Sequence, residues 1–394
     1  MIEALAAGIV AGLSGLIPFV HPNFVLVFFE KTFNPISAGV FATALVFSRL
    51  AFEPIASAFL LYPSQSQSAS VLPAHSMLLE GNGLLAFGLM LRSALFAIAV
   101  SVLISPLVAI SLPLVFSIAK PITGYALLAL VAIALLSEKN IRRAGKGLFV
   151  FVLAGSFGFL ILSLPLLKQP LLPLLAGLFG MPALLQSFSS AKEIPEQKKT
   201  SDIKIDKRLV FLGVLLGAFS SVLPAVSPAV LAALLFVFME STPLRFLVAA
   251  SATAASKTFF DFIAVFAIGK ARSGAAAFIS QNAFLTWQTL ALFLAAGIVA
   301  FTIACLASLL IAKFAAKELP KTGRLAAPFL LILAVIAIFA FEGFAGLFVL
   351  AIATCIGLLP LLLEVKRSYS MGSLLLPSLL YFFGFSQPIL STLF

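Results

Sequence analysis

The stretch LIPFVHPNF, residues 16–24, interrupts the first apolar segment of the chain with two prolines, a histidine and an asparagine. Proline lacks a backbone N–H and its ring clashes with the preceding turn, so Pro18 and Pro22 together break a helix. Backbone groups freed at membrane depth must be buried in protein or line a polar cavity. A helix that begins again at Pro22 directs its free N–H groups toward the break, and this positive end suits an anion.

The composition is that of a polytopic membrane protein. Of the 394 residues, 62% are hydrophobic and 10% are charged, and the mean hydropathy is +1.19. Apolar runs as long as membrane-spanning helices recur from end to end, and they are too long to be the alternating strands of a barrel. The net charge of +11 comes mainly from Lys and Arg between these runs, which indicates cytoplasmic loops near anionic lipid and argues against nucleic-acid binding.

An internal repeat divides the chain around a polar linker at residues 191–207. Three pairs of motifs occur in the same order in both halves, and the middle pair keeps Ser, a base, Phe, an acid and Ile at the same spacing. The sequence therefore predicts a first membrane repeat over 1–190, a cytoplasmic linker and a second membrane repeat over 208–394, as in many secondary transporters. The pairs are PFVHP (18–22) with PAVSP (224–228), SRLAFEPI (48–55) with SKTFFDFI (256–263), and LPLLAGLFG (172–180) with LPSLLYFFG (376–384).

Two topologies fit this repeat. The first segments, 4–30 and 209–239, are split by their prolines into pieces shorter than the ~20 residues that a span needs. If these segments re-enter, each half crosses the membrane five times and the halves are inverted. If they cross, each half crosses six times and the halves are parallel. The positive-inside rule favours inversion, because the parallel alternative leaves a set of basic residues outside. These are Lys313, Lys317, Lys321, Arg324, Lys366 and Arg367.

The predicted fold is an all-α polytopic membrane protein with two inverted-topology repeats, each made of a Pro-broken re-entrant hairpin and about five transmembrane helices. The spans predicted for the first repeat are 35–62, 84–111, 112–137, 146–166 and 168–190. Those predicted for the second repeat are 243–269, 285–312, 325–341, 343–365 and 371–390.

Charged side chains inside the predicted spans form a second feature. The carboxylates Glu53 and Asp261 each follow a base by four residues, so they share a helical face with Arg49 and Lys257. Ionisable groups within a membrane are costly, face the interior and often mark ion or substrate paths. Two interpretations stay open. The pairs neutralise each other for structural reasons, or the carboxylates take a coupling H⁺ or Na⁺ while the bases hold an anionic substrate.

The candidate substrate-binding residues come from the breaks, from the two charged helices and from the polar stretch 269–282. That stretch follows the second charged helix, as the Ser-rich stretch 62–83 follows the first, and its free N–H groups and arginine suit a carboxylate or phosphate. The alternatives are that both stretches are solvated loops and that the prolines only shape packing. The candidates are Pro18, Val20, His21, Pro22, Asn23, Ser48, Arg49, Pro224, Ser227, Pro228, Ser256, Lys257, Arg272, Ser273 and Gly274.

Enzyme signatures are absent from the sequence. It contains no His-Glu-x-x-His motif, no clustered Asp pair and no Gly-rich nucleotide loop followed by Lys. Cys305 and Cys355 both lie in apolar segments, so no Cys-ligated metal is predicted. We expect no enzyme activity and no cofactor apart from Na⁺ or H⁺ as the coupling ion.

The chain resembles the large membrane subunit of the tripartite tricarboxylate transporters, the TctA-like family, and especially its archaeal branch. The resemblance rests on GLIPFVHPN (15–23), SVLPAHSMLLEGNG (70–83) and GLLPLLLEVKRSYSMGSLLLPSLLYF (357–382). The family commonly has Gly after the first proline of each break, where this chain has Phe19 and Ala225, so close backbone approach to a ligand is less favoured there. The resemblance implies secondary transport of a carboxylate-type solute. In bacteria it also implies a small membrane subunit and an extracytoplasmic solute-binding protein as partners.

The sequence therefore predicts a multi-pass transporter of the cell membrane for a small anionic solute, driven by a proton or Na⁺ gradient through alternating access. The two broken hairpins are expected to meet near the midplane around the solute, beside both charge pairs. The alternatives are an uncoupled channel or facilitator and a membrane enzyme acting on a lipid-linked anion. The enzyme needs an acid–base or metal cluster, which these carboxylates do not supply. Accessory subunits and a homodimer stay open as partners.

Labelling of single cysteines tests the inverted topology. In a background lacking Cys305 and Cys355, Ser66→Cys and Ser280→Cys should react with a membrane-impermeant reagent from opposite sides of the membrane. Inversion places the loops after the two charged helices on opposite sides. Labelling of both positions from the same side would restore the parallel, six-span alternative.

Overall fold

The computed structural model describes the greater part of the chain, and every regular element in the described residues is a helix. The candidate residues Pro18, His21, Pro224 and Ser227 lie outside the described residues. The described residues are 1–17, 20, 22–29, 32–60, 70–138, 140–189, 194–198, 203–222, 228–236, 239, 242–283 and 285–386.

In the first half, two short helices on either side of the proline break precede a long helix, a further short helix and a series of apolar helices. A 3₁₀ turn, Leu13–Leu16, follows the first helix, and a π-helical turn, Ala176–Gly180, joins the last two. The helices are α1 (Ile2–Gly12), α2 (Pro22–Phe29), α3 (Pro35–Phe59), α4 (Val71–Leu79), α5 (Gly83–Leu136), α6 (Ile141–Ser163), α7 (Leu171–Leu175) and α8 (Met181–Ser189).

The second half begins with the same order of elements, two short helices, a long helix and a further short helix, and continues with one long helix and a short last helix. The polar stretches 62–83 and 269–282, for which solvated loops were one alternative, each contain a short helix in the structure. A 3₁₀ turn, Arg367–Met371, precedes the last helix. The helices are α9 (Lys207–Ser220), α10 (Pro228–Leu235), α11 (Pro243–Ile268), α12 (Gly274–Asn282), α13 (Trp287–Leu362) and α14 (Gly372–Phe382). The inverted orientation of the halves and the re-entry of their first segments stay predictions.

Helices α3 and α11 begin with the same local chemistry. Asn34 and Thr242 are the N-cap residues, and their side-chain oxygens accept hydrogen bonds from the N–H groups of Ser37 at 2.9 Å and Arg245 at 3.3 Å. Proline is the first residue of each helix, where a missing N–H costs no helical hydrogen bond. The two helices are therefore matched elements in the structure as well as in the sequence.

Helix α5 is longer than the sequence predicts. It runs without interruption for 54 residues, although separate spans were predicted over 84–111 and 112–137. At the normal helical rise it is about 80 Å long, more than twice the hydrocarbon thickness of a bilayer. The boundary was predicted from the length of the apolar run, which is enough for two spans, and the helix in fact continues through Pro106 and Pro113.

Helix α13 joins spans in the same way but contains one break. At Gly343 the backbone leaves helical geometry, with φ 62° and ψ −153°, a conformation that favours glycine. This break coincides with the boundary predicted between 325–341 and 343–365. Between the spans predicted over 285–312 and 325–341 the backbone stays helical, although two separate apolar stretches of spanning length, Trp287–Leu319 and Leu331–Leu362, lie on either side.

Six helices among the described residues are long and apolar enough to cross a membrane. In α3 and α11 most of the apolar stretch is buried (83% and 72%), whereas 44% or less is buried in the other four. These two are therefore the interior helices, and the other four expose apolar side chains suited to lipid. The other four are Gly83–Leu136, Ile141–Ser163, Trp287–Leu319 and Leu331–Leu362.

The chain forms two compact units, and each takes parts from both halves. Unit 1 comprises residues 1–116, 191–223 and 227–326, and its apolar core includes side chains of α3, α4, α9 and α11. Unit 2 consists mainly of residues 117–190 and 327–394, and within it α6 packs against α14. Helices α5 and α13 contribute residues to both units.

Small residues allow close packing at two matched helix pairs of unit 1. Helix α1 packs against α3, and α9 packs against α11 in the same way. A Cβ added at Gly8 or Gly213 would lie 2.6 Å or 2.7 Å from an alanine Cβ of the facing helix. Such small-xxx-small patterns are typical of membrane helix pairs. The contacts are Gly8 with Ala44, Gly12 with Ser48, Gly213 with Ala252 and Gly217 with Ser256.

Replacing Gly217 by Ala should lower the melting temperature of the purified protein. The added Cβ would overlap the Ser256 hydroxyl and lie 2.7 Å from the backbone nitrogen of Lys257. Overpacking of this kind costs about 1–3 kcal/mol. The matched control is Gly145→Ala in α6, where a Cβ would meet nothing within 4 Å and alanine favours the helix. Equal melting temperatures for the two variants would contradict the close packing of α9 on α11.

Candidate solute and ion site

Both predicted charge pairs form in the structure. Arg49 Nε lies 3.2 Å from Glu53 Oε1 on α3. On α11, Lys257 Nζ lies 2.8 Å and 2.7 Å from the two carboxylate oxygens of Asp261. The four-residue spacing places each base beside its acid, as the sequence predicts. The functions assigned to these residues, substrate binding for the bases and ion coupling for the acids, stay predictions.

Arg49 also joins α3 to the broken first segment. Its Nη1 donates to Ser14 Oγ at 2.8 Å and to the backbone carbonyl of Val20 at 2.9 Å. Val20 lies in the break before α2, where the guanidinium supplies a donor that a continuous helix would have supplied. Ser14 was missed by the sequence analysis, because a serine among the small residues of an apolar helix gives no signal beyond packing.

The pair on α11 has further polar neighbours. The side chain of Lys257 is 14% exposed, compared with 5% for Arg49. Ser273 and Arg272 lie close enough to the Asp261 carboxylate to favour its charged form electrostatically. Ser273 and Arg272 belong to the connection between α11 and α12. The polar stretch after α11 thus folds back onto the buried acid.

Arg272 brings a second positive charge to this place. Its guanidinium carbon lies 5.8 Å from the centre of the Phe116 ring, and its Nε is buried without a hydrogen-bond partner among the described residues. Burial lowers the pKa of the Arg272 guanidinium from its usual value, and the negative charge of Asp261 opposes that shift. A buried donor without a partner is a group that a bound anion would satisfy.

Helix α2 brings residues of the first half close to the polar groups around Asp261. Helices begin at Pro22 and at Pro228, as the proline breaks predict. Asn23, in the first turn of α2, contacts Gly274, the first residue of α12, so closely that a Cβ at Gly274 would overlap the Asn23 amide. The N-terminal ends of two helices, one from each half, therefore meet near Asp261. Both ends carry partial positive charge.

The candidate serines on α3 and α11 face packing contacts. Ser256 Oγ donates to the carbonyls of Ala252 at 2.7 Å and Gly213 at 3.3 Å, the second of which lies on α9. Ser48 lies against Gly12, and its Oγ is buried without a hydrogen-bond partner among the described residues. This placement favours a packing role. Their assignment to solute binding stays a prediction.

The fold and these buried charges define an all-helical, multi-pass membrane protein. Residues 2–372 match the tripartite tricarboxylate transporter TctA family, and the chain belongs to this family. The resemblance identified from the sequence motifs is thereby confirmed. The family consists of membrane transporter components and is not a family of enzymes. Membership implies a solute-binding protein and a small membrane subunit in the complex.

Similarity to a curated protein also extends over nearly the whole chain. An uncharacterized protein of Methanocaldococcus jannaschii is 26% identical over 396 residues, which cover 96% of this chain and 98% of that protein. No solved structure matches the chain.

Arg49→Lys should destabilise the protein more than a matched change at a surface pair. Lysine retains the positive charge but lacks the planar guanidinium, which donates hydrogen bonds to Ser14, Val20 and Glu53 at once. Leaving a buried acceptor without its donor costs about 1–3 kcal/mol. The measurement is the melting temperature in detergent.

The control is Arg143→Lys, whose partner Glu364 lies 3.5 Å away in a pair with side-chain exposures of 37% and 79%. Exposed pairs of this kind contribute little to stability. If both variants melt at the temperature of the wild type, Arg49 does not hold the broken segment.

Proposed function

We propose that the protein is a secondary active transporter for a small anionic, carboxylate-type solute, coupled to a proton or Na⁺ gradient. The proposal assigns this activity to one cluster of unit 1, formed by Lys257, Asp261, Arg272 and Ser273 together with the N-terminal ends of α2 and α12. The observation that carries it is the meeting of two cations, a buried carboxylate and helix ends from both halves. Cations and helix N-termini are the groups that hold carboxylates in proteins.

The chemistry of the cluster fits an exchange of ionic partners. Lys257 is bound by both oxygens of Asp261, so its charge is neutralised within the protein. A proton or Na⁺ taken up by Asp261 would neutralise the carboxylate and leave the buried ammonium without a counter-charge. A solute carboxylate would supply that counter-charge, with Arg272 as a second donor. Ion and solute then favour each other's binding, which is the thermodynamic requirement for coupled uptake.

The two pairs are assigned different functions in this proposal. Arg49 is bound by Glu53, Ser14 and Val20 at once, so releasing it for a solute would break the fold of the first segment. Lys257 is more exposed and is held by the carboxylate that would take the ion. Coupling is therefore assigned to Asp261, and Glu53 is assigned a structural function on α3.

The division of the chain supports alternating access as the mechanism. The helices before the long apolar ones, α1–α4 and α9–α12, belong to unit 1, whereas later helices of both halves, such as α6 and α14, belong to unit 2. A movement of one part of each repeat against the rest is how repeat-built transporters alternate access to a fixed site. A small membrane subunit and an extracytoplasmic solute-binding protein are the proposed partners, following the family.

Asp261→Asn should abolish gradient-driven accumulation while leaving exchange of solute across the membrane. The asparagine amide is similar in size to the carboxylate but does not ionise. It therefore takes up no coupling proton and offers no negative charge to Na⁺. The assay follows labelled citrate and labelled succinate in proteoliposomes with an imposed Na⁺ or proton gradient. Glu364→Gln, which alters an exposed carboxylate of unit 2, is the control and should accumulate solute like the wild type.

The double variant Lys257→Met/Asp261→Leu separates coupling from a purely structural pair. Apolar replacement of a whole buried pair is often neutral for stability, so this variant should fold and insert. It should nevertheless fail to accumulate solute, because both the ion-binding and the solute-binding charges are gone. Full uptake at an unchanged melting temperature would contradict the proposed coupling.

A further inference from the structure

The linker between the two halves is docked onto unit 1. Its described residues, 194–198 and 203–206, are called the strap from here on. The strap contacts the turn between α4 and α5, and its isoleucines belong to the apolar side chains that pack against the core of unit 1. A solvated connection would bury no such side chains. The isoleucines are Ile194, Ile203 and Ile205.

Two hydrogen bonds made by backbone groups of the strap hold it to the neighbouring helices. The N–H of Lys198 donates to the carbonyl of Gly81 at 2.8 Å, and Gly81 has φ 77°, which favours glycine at this turn. Further along, Arg92 Nη1 donates to the carbonyl of Ile203 at 2.6 Å. The strap is therefore held at the turn before α5, through Gly81, and further along that helix, through Arg92.

The Gln197 side chain hydrogen-bonds both of the helices that the turn between α4 and α5 connects. Its Oε1 accepts from the N–H of Gly83, the first residue of α5, at 2.8 Å. Its Nε2 donates to the carbonyl of Leu78, near the end of α4, at 3.1 Å and to that of Pro195 within the strap at 2.6 Å. Helix ends expose backbone groups that need partners from elsewhere. One side chain of the linker supplies a partner to each of two helix ends.

In the matching turn of the second half, between α12 and α13, the described residues take hydrogen-bond partners from nearby in the sequence. Asn282 Nδ2 donates to the carbonyl of Phe278 at the end of α12, 2.9 Å away. At the start of α13, the N–H of Thr286 donates to Thr289 Oγ1 at 2.8 Å and the N–H of Thr289 donates to Thr286 Oγ1 at 3.2 Å. Gln197 thus does for the first half, from a distance in sequence, what Asn282 and the threonines do for the second.

The helix that Gln197 holds lies beside both charged helices. Helix α4 packs against α3 and against α11, and Ala74, Met77 and Leu78 belong to the core that these helices form. We propose that Gln197 is a positioning residue, which keeps α4 seated on the helices that carry the ion pairs and so preserves the geometry of the solute site. The expected effect on transport rests on the proposed function, whereas the positioning of α4 by Gln197 does not.

Gln197→Ala tests the inference by two readouts. Hydrogen exchange should show the amides of α4 and the N–H of Gly83 exchanging about tenfold faster, because hydrogen bonds that hold these two helix ends are lost. In proteoliposomes, the variant should raise the KM for citrate by several fold while the maximal rate per inserted protein changes little. A purely structural loss would instead lower the maximal rate through the amount of folded protein. Gln197→Glu keeps the acceptor for Gly83 and loses the donor for Leu78, so its effect should lie between those of Ala and wild type.

Lys198→Ala is the matched control. Its side chain is exposed, and alanine keeps the backbone N–H that donates to Gly81. This variant should match the wild type in both readouts. Unchanged exchange of α4 in Gln197→Ala would overturn the inference, and so would faster exchange with an unchanged KM. If the wild type takes up neither citrate nor succinate, the proposed function fails, and the exchange rates of α4 still decide whether Gln197 holds the helix.

Discussion

Charge buried away from water must be paired, and this constraint shapes unit 1. Arg49, Glu53 and Asp261 are all less than one-tenth exposed on the two interior helices. Isolated charges in such surroundings are very costly, so each needs a partner of opposite charge and further hydrogen bonds. The four-residue spacing supplies the first partner within the helix. The remaining partners come from the segments packed around these helices, namely the broken first segment beside Arg49 and the α11–α12 connection beside Asp261.

The two halves meet this constraint differently, and the difference bears on function. Arginine offers a rigid fork of donors, and Arg49 uses it to hold Glu53, Ser14 and the Val20 carbonyl together. Lysine is a point charge on a flexible stem, and Lys257 binds both oxygens of one carboxylate. An interaction made by one flexible side chain opens more readily than a bridge between three segments. In the proposed function, the first pair therefore has an architectural role, and the second pair is the one that exchanges partners with an ion and a solute.

The sequence predicts what depends on local pattern. Hydropathy identifies the helices, the four-residue spacing predicts both pairs, and the prolines at 22 and 228 mark helix starts. It fails where the outcome depends on distant contacts or on missing signals. Nothing around Ser111 shows that two spans form one helix, and a polar linker gives no sign that Gln197 binds the ends of α4 and α5. The contact between Asn23 and Gly274 joins residues from different halves, which one sequence without alignment does not reveal.

That contact between the halves is the central claim, because it brings the N-terminal ends of α2 and α12 to the same charged cluster. A cysteine pair, Asn23→Cys with Gly274→Cys, in a background lacking Cys305 and Cys355, tests it directly. A Cβ at position 274 would overlap the Asn23 amide, and a disulfide needs Cβ atoms about 3.5–4.5 Å apart. The account predicts that mild oxidation joins the two positions within one chain, that citrate uptake stops, and that a reductant restores it. Failure of the two cysteines to join in folded protein would contradict a site built from both halves.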